Sequence, residues 1–222
     1  MKGRSLHASI NQTEVGTLKE VDGLWSFQYS ADWLGSSGGF ALSPHLPLSA
    51  EPLRDGASKR PVQWYFDNLL PEEGLRVLLA GDAKLDAADA FGLLAWYGAE
   101  SAGSLTLLPP DAEPQSVGSL RSLPDDALEV RIRQLPKAPL THAAIKRMSL
   151  AGAQHKLAVV LQDGELFEPA GARPSTHILK PDHPDEDYAH SVINEWFVMR
   201  LAKRLGLNVP DQHCCLRLAR FR

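Results

Sequence analysis

One short run of the sequence could hold an anion such as a phosphate group. The run "SLAGAQHKLAVVL" contains the adjacent small residues Ala151, Gly152 and Ala153 between polar and apolar neighbours. Backbone N–H groups in such a turn lie open to anionic oxygens, which accept hydrogen bonds from them. A glycine-tipped hairpin needs the same residues, and neither GxxxxGK[ST] nor GxGxxG is present. Taken alone, the run leaves both interpretations open.

Two charged side chains further along the chain could complete an anion site. Lys180 ends the apolar run "THILK", and its ammonium group must reach water or an anion. Glu195 lies in "SVINEWFVMRLAKRLG", where apolar residues surround much of the circumference and predict a largely buried helix. A buried carboxylate needs a partner, and Lys180 is a natural one. A lysine that only reaches solvent and a glutamate on a solvated face remain the alternatives.

The elements that would position these residues are an antiparallel sheet and a helix. We predict strands at "IKRMSL", "KLAVVL", "LFEP" and "THILK", with turns at "AGAQ" and Asp163-Gly164. A helix is predicted from about Tyr188 to Leu205, preceded by a solvated acidic loop, and a last strand is predicted in "HCCLRLARF". This serial order is that of a protein-kinase N-lobe. There a loop covers the ATP phosphates, a lysine contacts them, and a helix glutamate holds the lysine.

The N-terminal part of the chain mixes strands and helices. The alternation of Trp25, Phe27 and Tyr29 with polar residues predicts a half-buried strand. "PVQWYFDNLLPEEGLRVLLAG" predicts two short helices, and "DAADAFGLLAWYGAE" predicts a third that begins at Asp86 or Asp89. The strand "SLTLLP" is predicted to close this part of the chain.

These elements predict an α+β fold in three segments. Residues 1–108 form a small mixed N-terminal subdomain, and residues 109–145 form a surface linker with a short helix. Residues 146–222 form a kinase-like N-lobe, an antiparallel sheet with one helix, which is incomplete because the C-lobe is absent.

Composition excludes several classes of function. The chain of 222 residues has 23 Lys+Arg against 27 Asp+Glu, a formal charge of -4, which disfavours direct binding to nucleic acid. No apolar run approaches the ~20 residues that cross a bilayer, so we expect a cytoplasmic protein without a membrane partner.

Several segments together resemble HipA, the serine/threonine kinase toxin of bacterial type II toxin-antitoxin systems. They are "YFDNLLPEE", "FGLLAWYGAESAGSLTL", "MSLAGAQHKLAVV", "THILKP" and "NEWFVMRLAKRLGLNVP". The resemblance keeps the order of the family's motifs and runs over essentially the whole chain. It covers only the N-terminal portion of the family pattern.

The resemblance assigns roles to the residues singled out above. It implies an ATP phosphate loop made of Ala151, Gly152, Ala153, Gln154, His155 and Lys156. Lys180 is then the ATP-binding lysine, Ser149 stands where the family has its autophosphorylated serine, and Glu195 is expected, by kinase analogy, to position Lys180. His155 departs from the family, which commonly has an acidic residue or proline at that place.

The resemblance also implies partners and limits. The family's usual partner is HipB, a helix-turn-helix antitoxin through which DNA is reached, and its known substrates include aminoacyl-tRNA synthetases, whose phosphorylation arrests growth. The catalytic and Mg-binding side chains of a kinase come from the C-lobe, and none can be placed before Arg222. We therefore expect the chain alone to be inactive and to provide the ATP-binding portion of such a toxin. The alternative is a non-catalytic interaction or neutralising module of a split HipA-type system.

Overall fold

The computed structural model describes residues 3–100, 105–112, 118–135, 137–138, 154–170 and 173–212. Within these ranges the chain divides into two compact units, the first up to residue 112 and the second from residue 118. The two units are described separately below.

The first unit is built on an antiparallel sheet with the strand order β4-β3-β2-β1-β5. Its strands are β1 (Arg4–Ile10), β2 (Thr13–Val21), β3 (Leu24–Tyr29), β4 (Leu53–Arg54) and β5 (Leu105–Leu108). Asp22 and Gly23 connect β2 to β3 with positive φ angles of 53° and 75°. An Asp-Gly pair tolerates this conformation well, and its twist matches the twist of the flanking strands.

Four helices accompany this sheet. They are α1 (Ala31–Gly35), α2 (Pro61–Asp67), α3 (Glu73–Ala83) and α4 (Ala90–Tyr97). The carboxylate of Asp89 accepts a hydrogen bond from the Gly92 N–H at 3.0 Å and so caps α4. Asp89 is one of the two residues at which this helix was predicted to begin. The predicted alternation in β3 is also present, since Trp25, Phe27 and Tyr29 are all buried. Together with residues from α2 and α4 they form one large apolar core.

The second unit contains a four-stranded antiparallel sheet with the order β6-β8-β7-β9. Its strands are β6 (Ser119–Ser122), β7 (Leu157–Gln162), β8 (Glu165–Ala170) and β9 (His177–Leu179). The predicted Asp163-Gly164 turn joins β7 to β8, with φ angles of 51° and 82°. The predicted strands at "IKRMSL" and "HCCLRLARF" lie outside the described residues.

Two helices belong to the second unit, α5 (Asp125–Arg133) and α6 (Ser191–Arg204). Strand β6 and α5 fall within residues 109–145, the range assigned to a linker from its composition. Composition could not reveal β6, because its partner β8 lies about fifty residues later in the sequence. The prediction of a largely buried α6 is wrong, since no residue of this helix is buried. Apolar residues around a helix indicate that it can be buried, but they do not supply the neighbour that buries it.

Candidate functional site

An ion pair joins the two charged residues singled out in the sequence. Lys180 follows directly after β9, and Glu195 lies in the second turn of α6. The Lys180 Nζ and the Glu195 Oε1 are 2.5 Å apart, and the two side chains are 32% and 38% exposed. The structure therefore places one cation and one anion together while leaving both accessible from solvent.

The local backbone explains why Glu195 reaches Lys180. The Asp182 Oδ1 accepts the N–H of Val192 at 3.0 Å, and the Ser191 hydroxyl accepts the N–H of His183 at 2.9 Å. These bonds satisfy an N–H at the start of α6 and tie the helix to the chain that leaves β9. Because Ser191 and Glu195 are four residues apart, they lie on the same face of the helix. Asp182 thus holds the start of the helix, and the helix face that carries Ser191 also carries Glu195 toward Lys180.

His155 lies two residues before β7 and is buried, with 6% of its surface exposed. Its Nδ1 is buried and has no hydrogen-bond partner among the described residues. Burial lowers the pKa of the imidazole below its ordinary value, and the nearby His183 lowers that pKa further. His155 is therefore a neutral, buried side chain. This placement does not favour contact between its ring and a ligand.

The other residues of the expected phosphate loop are placed only in part. Gln154 and Lys156 are half-buried on either side of His155. Ser149, Ala151, Gly152 and Ala153 lie outside the described residues. The structure consequently brings Lys180 and Glu195 together. Of the expected phosphate loop it describes residues 154–156, which directly precede β7.

A second charged cluster in the same unit escaped the sequence analysis. Glu168 on β8 is 1% exposed, and both of its carboxylate oxygens bond the guanidinium of Arg131 on α5. Arg121 on β6 adds a 2.8 Å contact to the same carboxylate. Such a carboxylate is costly to bury without partners. The two arginines supply those partners, and the cluster therefore holds α5 and β6 against β8. The three residues are far apart in the sequence, and a glutamate inside the apolar run "LFEPA" was the only signal.

The described residues offer neither a cluster of metal ligands nor a membrane-spanning helix. The part of the chain described here holds no group of three or more His, Cys, Asp or Glu side chains that could bind a metal ion. No helix within it has the length and apolar character needed to cross a bilayer.

Comparison with known proteins places the chain in a family. Residues 6–108 match the family model described as the HipA N-terminal domain, and residues 148–219 match the one described as the HipA-like C-terminal domain. The chain belongs to the HipA family. The first matched region lies in the first unit, and the second contains Lys180 and Glu195.

Two curated relatives are similar over most of the chain. The protein named "Putative kinase Y4mE" from Sinorhizobium fredii is 43% identical over 189 residues, which make up 82% of this chain and 44% of that protein. The serine/threonine-protein kinase toxin HipA of Shewanella oneidensis is 35% identical over 189 residues, or 84% of this chain and 41% of that toxin. The chain thus spans less than half the length of either relative.

The fold also matches a solved HipA structure. The complex of HipA, HipB and operator DNA from Shewanella oneidensis MR-1 aligns with a TM-score of 0.66 and 28% identity, over 93% of this chain and 46% of the matched chain. A mixed fold of helices and antiparallel sheets is therefore shared with HipA, which confirms the α+β part of the predicted fold class.

Proposed function

We propose that this chain is the ATP-binding portion of a HipA-type serine/threonine kinase toxin. In sequence order it would consist of an N-terminal subdomain followed by a protein-kinase N-lobe. The observation that carries the proposal is the ion pair between Lys180 and Glu195. In kinases a lysine at this point in the order of elements contacts the α and β phosphates, and a helix glutamate fixes its position.

The surroundings of Lys180 fit a triphosphate. The Lys180 side chain is 32% exposed and can therefore reach a ligand, while Glu195 holds its ammonium on one side. Residues Ala151 to Lys156 lead into β7, which pairs with β9 directly ahead of Lys180. A small-residue loop at this point would offer backbone N–H groups to the same phosphates. In this proposal the ring of His155 does not contact the nucleotide, because it is buried.

Transfer of the γ-phosphate would need further groups besides Lys180 and Glu195. A kinase uses an aspartate to orient the attacking hydroxyl, and an asparagine and a second aspartate to hold Mg²⁺. We propose that these groups lie in the part of the longer HipA relatives to which this chain has no match. With them, the assembly would phosphorylate a protein of the translation apparatus, such as an aminoacyl-tRNA synthetase, and arrest growth.

A HipB-like antitoxin is the proposed partner. Support comes from the solved relative, whose structure is a complex with HipB and its operator DNA. The formal charge of -4 on this chain supports contact with DNA through the antitoxin rather than directly.

Equilibrium binding of Mg-ATP to the purified chain tests the proposal. Lys180→Ala should weaken binding about tenfold or more, because a charge-assisted hydrogen bond contributes about 1.5–3 kcal/mol. Lys203→Ala is the matched control, since Lys203 also pairs with a carboxylate, that of Asp211, at 2.7 Å. Its affinity should stay within about twofold of the parent chain. Equal losses in both variants would contradict a specific site at Lys180.

A further inference from the structure

The chain turns back on itself after α6 and forms a groove with that helix. Gly206 has a φ of 84° just beyond the helix, a left-handed conformation that glycine adopts without strain and that ends many helices. The N–H of Leu207 donates to the Ala202 carbonyl at 3.1 Å and fixes the reversal. The Lys203 Nζ then contacts the Asp211 carboxylate at 2.7 Å, which holds the returning segment beside the helix.

The space between α6 residues 196–204 and residues 209–212 is named the α6 groove. It encloses about 320 Å³, near the lower limit for sites that hold a ligand. Trp196, Met199 and Val209 are the half-buried apolar residues that line it. The Lys203 and Asp211 side chains are 64% and 82% exposed, so the groove is open to solvent along this wall.

The charge of the α6 groove is opposite to that of the chain as a whole. Three cationic side chains line it, those of Arg200, Lys203 and Arg204, against the single carboxylate of Asp211, whereas the chain has a formal charge of -4. Asp211 pairs with Lys203. Among the described residues neither arginine pairs with a carboxylate. Two guanidinium groups are therefore left for carboxylates from outside the chain.

The aromatic residue of the groove fixes one of these arginines. The Arg200 guanidinium lies over the Trp196 ring, with its carbon 4.9 Å from the ring centre, a distance at which a cation is attracted to an aromatic face. Arg200 and Trp196 are four residues apart and share a helix face. One charged group of the groove is thus held in place before a ligand arrives, which lowers the entropic cost of binding.

These properties together select one class of ligand. Tryptophan, methionine and arginine are enriched where proteins contact one another, and tryptophan and arginine contribute much of the binding energy there. A groove that is open along one wall accepts an extended segment, and clustered arginines recognise acidic motifs. We propose that the α6 groove binds an acidic peptide segment of a partner protein. One apolar side chain of that segment would lie against Trp196 and Met199, and its carboxylates against Arg200 and Arg204. The inference goes beyond the proposed function and does not rest on nucleotide binding.

Fluorescence anisotropy tests the inference with the whole chain and dye-labelled peptides of defined sequence. The probe DEDFDED carries acidic residues on both sides of one phenylalanine. The peptide NQNFNQN removes the charges, and DEDGDED removes the apolar side chain. DEDFDED should bind at least tenfold more tightly than either of the other two, and its affinity should decrease as salt is added, because salt screens exposed charges.

Single charge reversals locate the site. Arg200→Glu and Arg204→Glu should each weaken the binding of DEDFDED about tenfold or more, because each brings a negative charge against the carboxylates of the peptide. Arg133→Glu is the matched control, since Arg133 is a 64% exposed arginine on α5 of the same unit, and it should bind within about twofold of the parent. Thermal unfolding of all three variants should match that of the parent. If Arg200→Glu unfolds the chain through the lost contact with Trp196, Arg204→Glu decides alone.

Several results would overturn the inference. They are a parent chain that does not bind DEDFDED, equal binding of NQNFNQN, and an unchanged affinity in Arg204→Glu. Displacement of the peptide by saturating Mg-ATP would also overturn it, since the peptide would then lie at Lys180; this arm separates the groove from the proposed nucleotide site. Tighter binding of an oligothymidine strand at the same arginines would assign the groove to nucleic acid instead.

Discussion

The two units of the chain bury their side chains in opposite ways. The first unit encloses a large apolar core in which Phe27, Phe66 and Phe91 are fully buried. The second unit has a small core, formed among its described residues by Leu123, Leu128, Leu157 and Val159, and it leaves apolar residues of α6 exposed. It also contains the buried Glu168 cluster and the Lys180–Glu195 pair. The first unit is therefore held mainly by apolar packing, whereas charged contacts have a larger share in the second.

We expect the largest difference in stability between the two units when the Glu168 carboxylate is removed. Glu168→Ala leaves the buried Arg131 guanidinium without its partner, which should destabilise the second unit by about 3–5 kcal/mol. Hydrogen exchange followed by mass spectrometry should show lost protection in β7 and β8, with the first unit unchanged.

Phe66→Ala provides the reverse control for that measurement. It opens a cavity in the first core and should cost about 3–5 kcal/mol there, with exchange in β7 and β8 unaffected. If Glu168→Ala left protection in β8 intact, the proposed role of the buried cluster would be wrong.

A smaller effect, confined to the second unit, is expected from His155 as the pH falls. Burial lowers the pKa of its imidazole below 6.5 in the folded chain, so the unfolded chain binds a proton first on acidification. The free energy of unfolding should be constant above about pH 6.5 and should decrease below that pH, toward the lowered folded pKa.

The variant His155→Gln removes this titration. Urea unfolding at pH 7.5 and pH 5.5, read from proteolytic fragments of the second unit, should show a smaller loss of stability for the variant than for the parent chain. The first unit should respond to pH identically in both proteins. Equal pH dependence of the second unit in the two proteins would show that His155 does not titrate as its burial requires.

Local signals in the sequence predicted much of the fold. The Asp163-Gly164 turn, the capping by Asp89 and the alternation in β3 each depend on neighbouring residues, and each is present in the structure. The proximity of Lys180 and Glu195 also followed from the order of the elements.

Long-range features could not be predicted in this way. The pairing of β6 with β8 and the contact of Arg131 with Glu168 join distant parts of the chain. The apolar residues of α6 indicated burial, but they could not show that one face lacks a neighbour among the described residues. These features depend on which distant segment packs against a helix or strand, and a local sequence pattern does not contain that information.

The central claim is that Lys180 and Glu195 act as one unit in binding ATP. A double-mutant cycle tests it most directly, with Mg-ATP affinity measured for Lys180→Ala, Glu195→Gln and the double variant. We predict that Glu195→Gln weakens binding in the parent chain and has no further effect once Lys180 is absent, because Glu195 acts through the lysine. Additive losses, or an affinity that neither change alters, would contradict the claim.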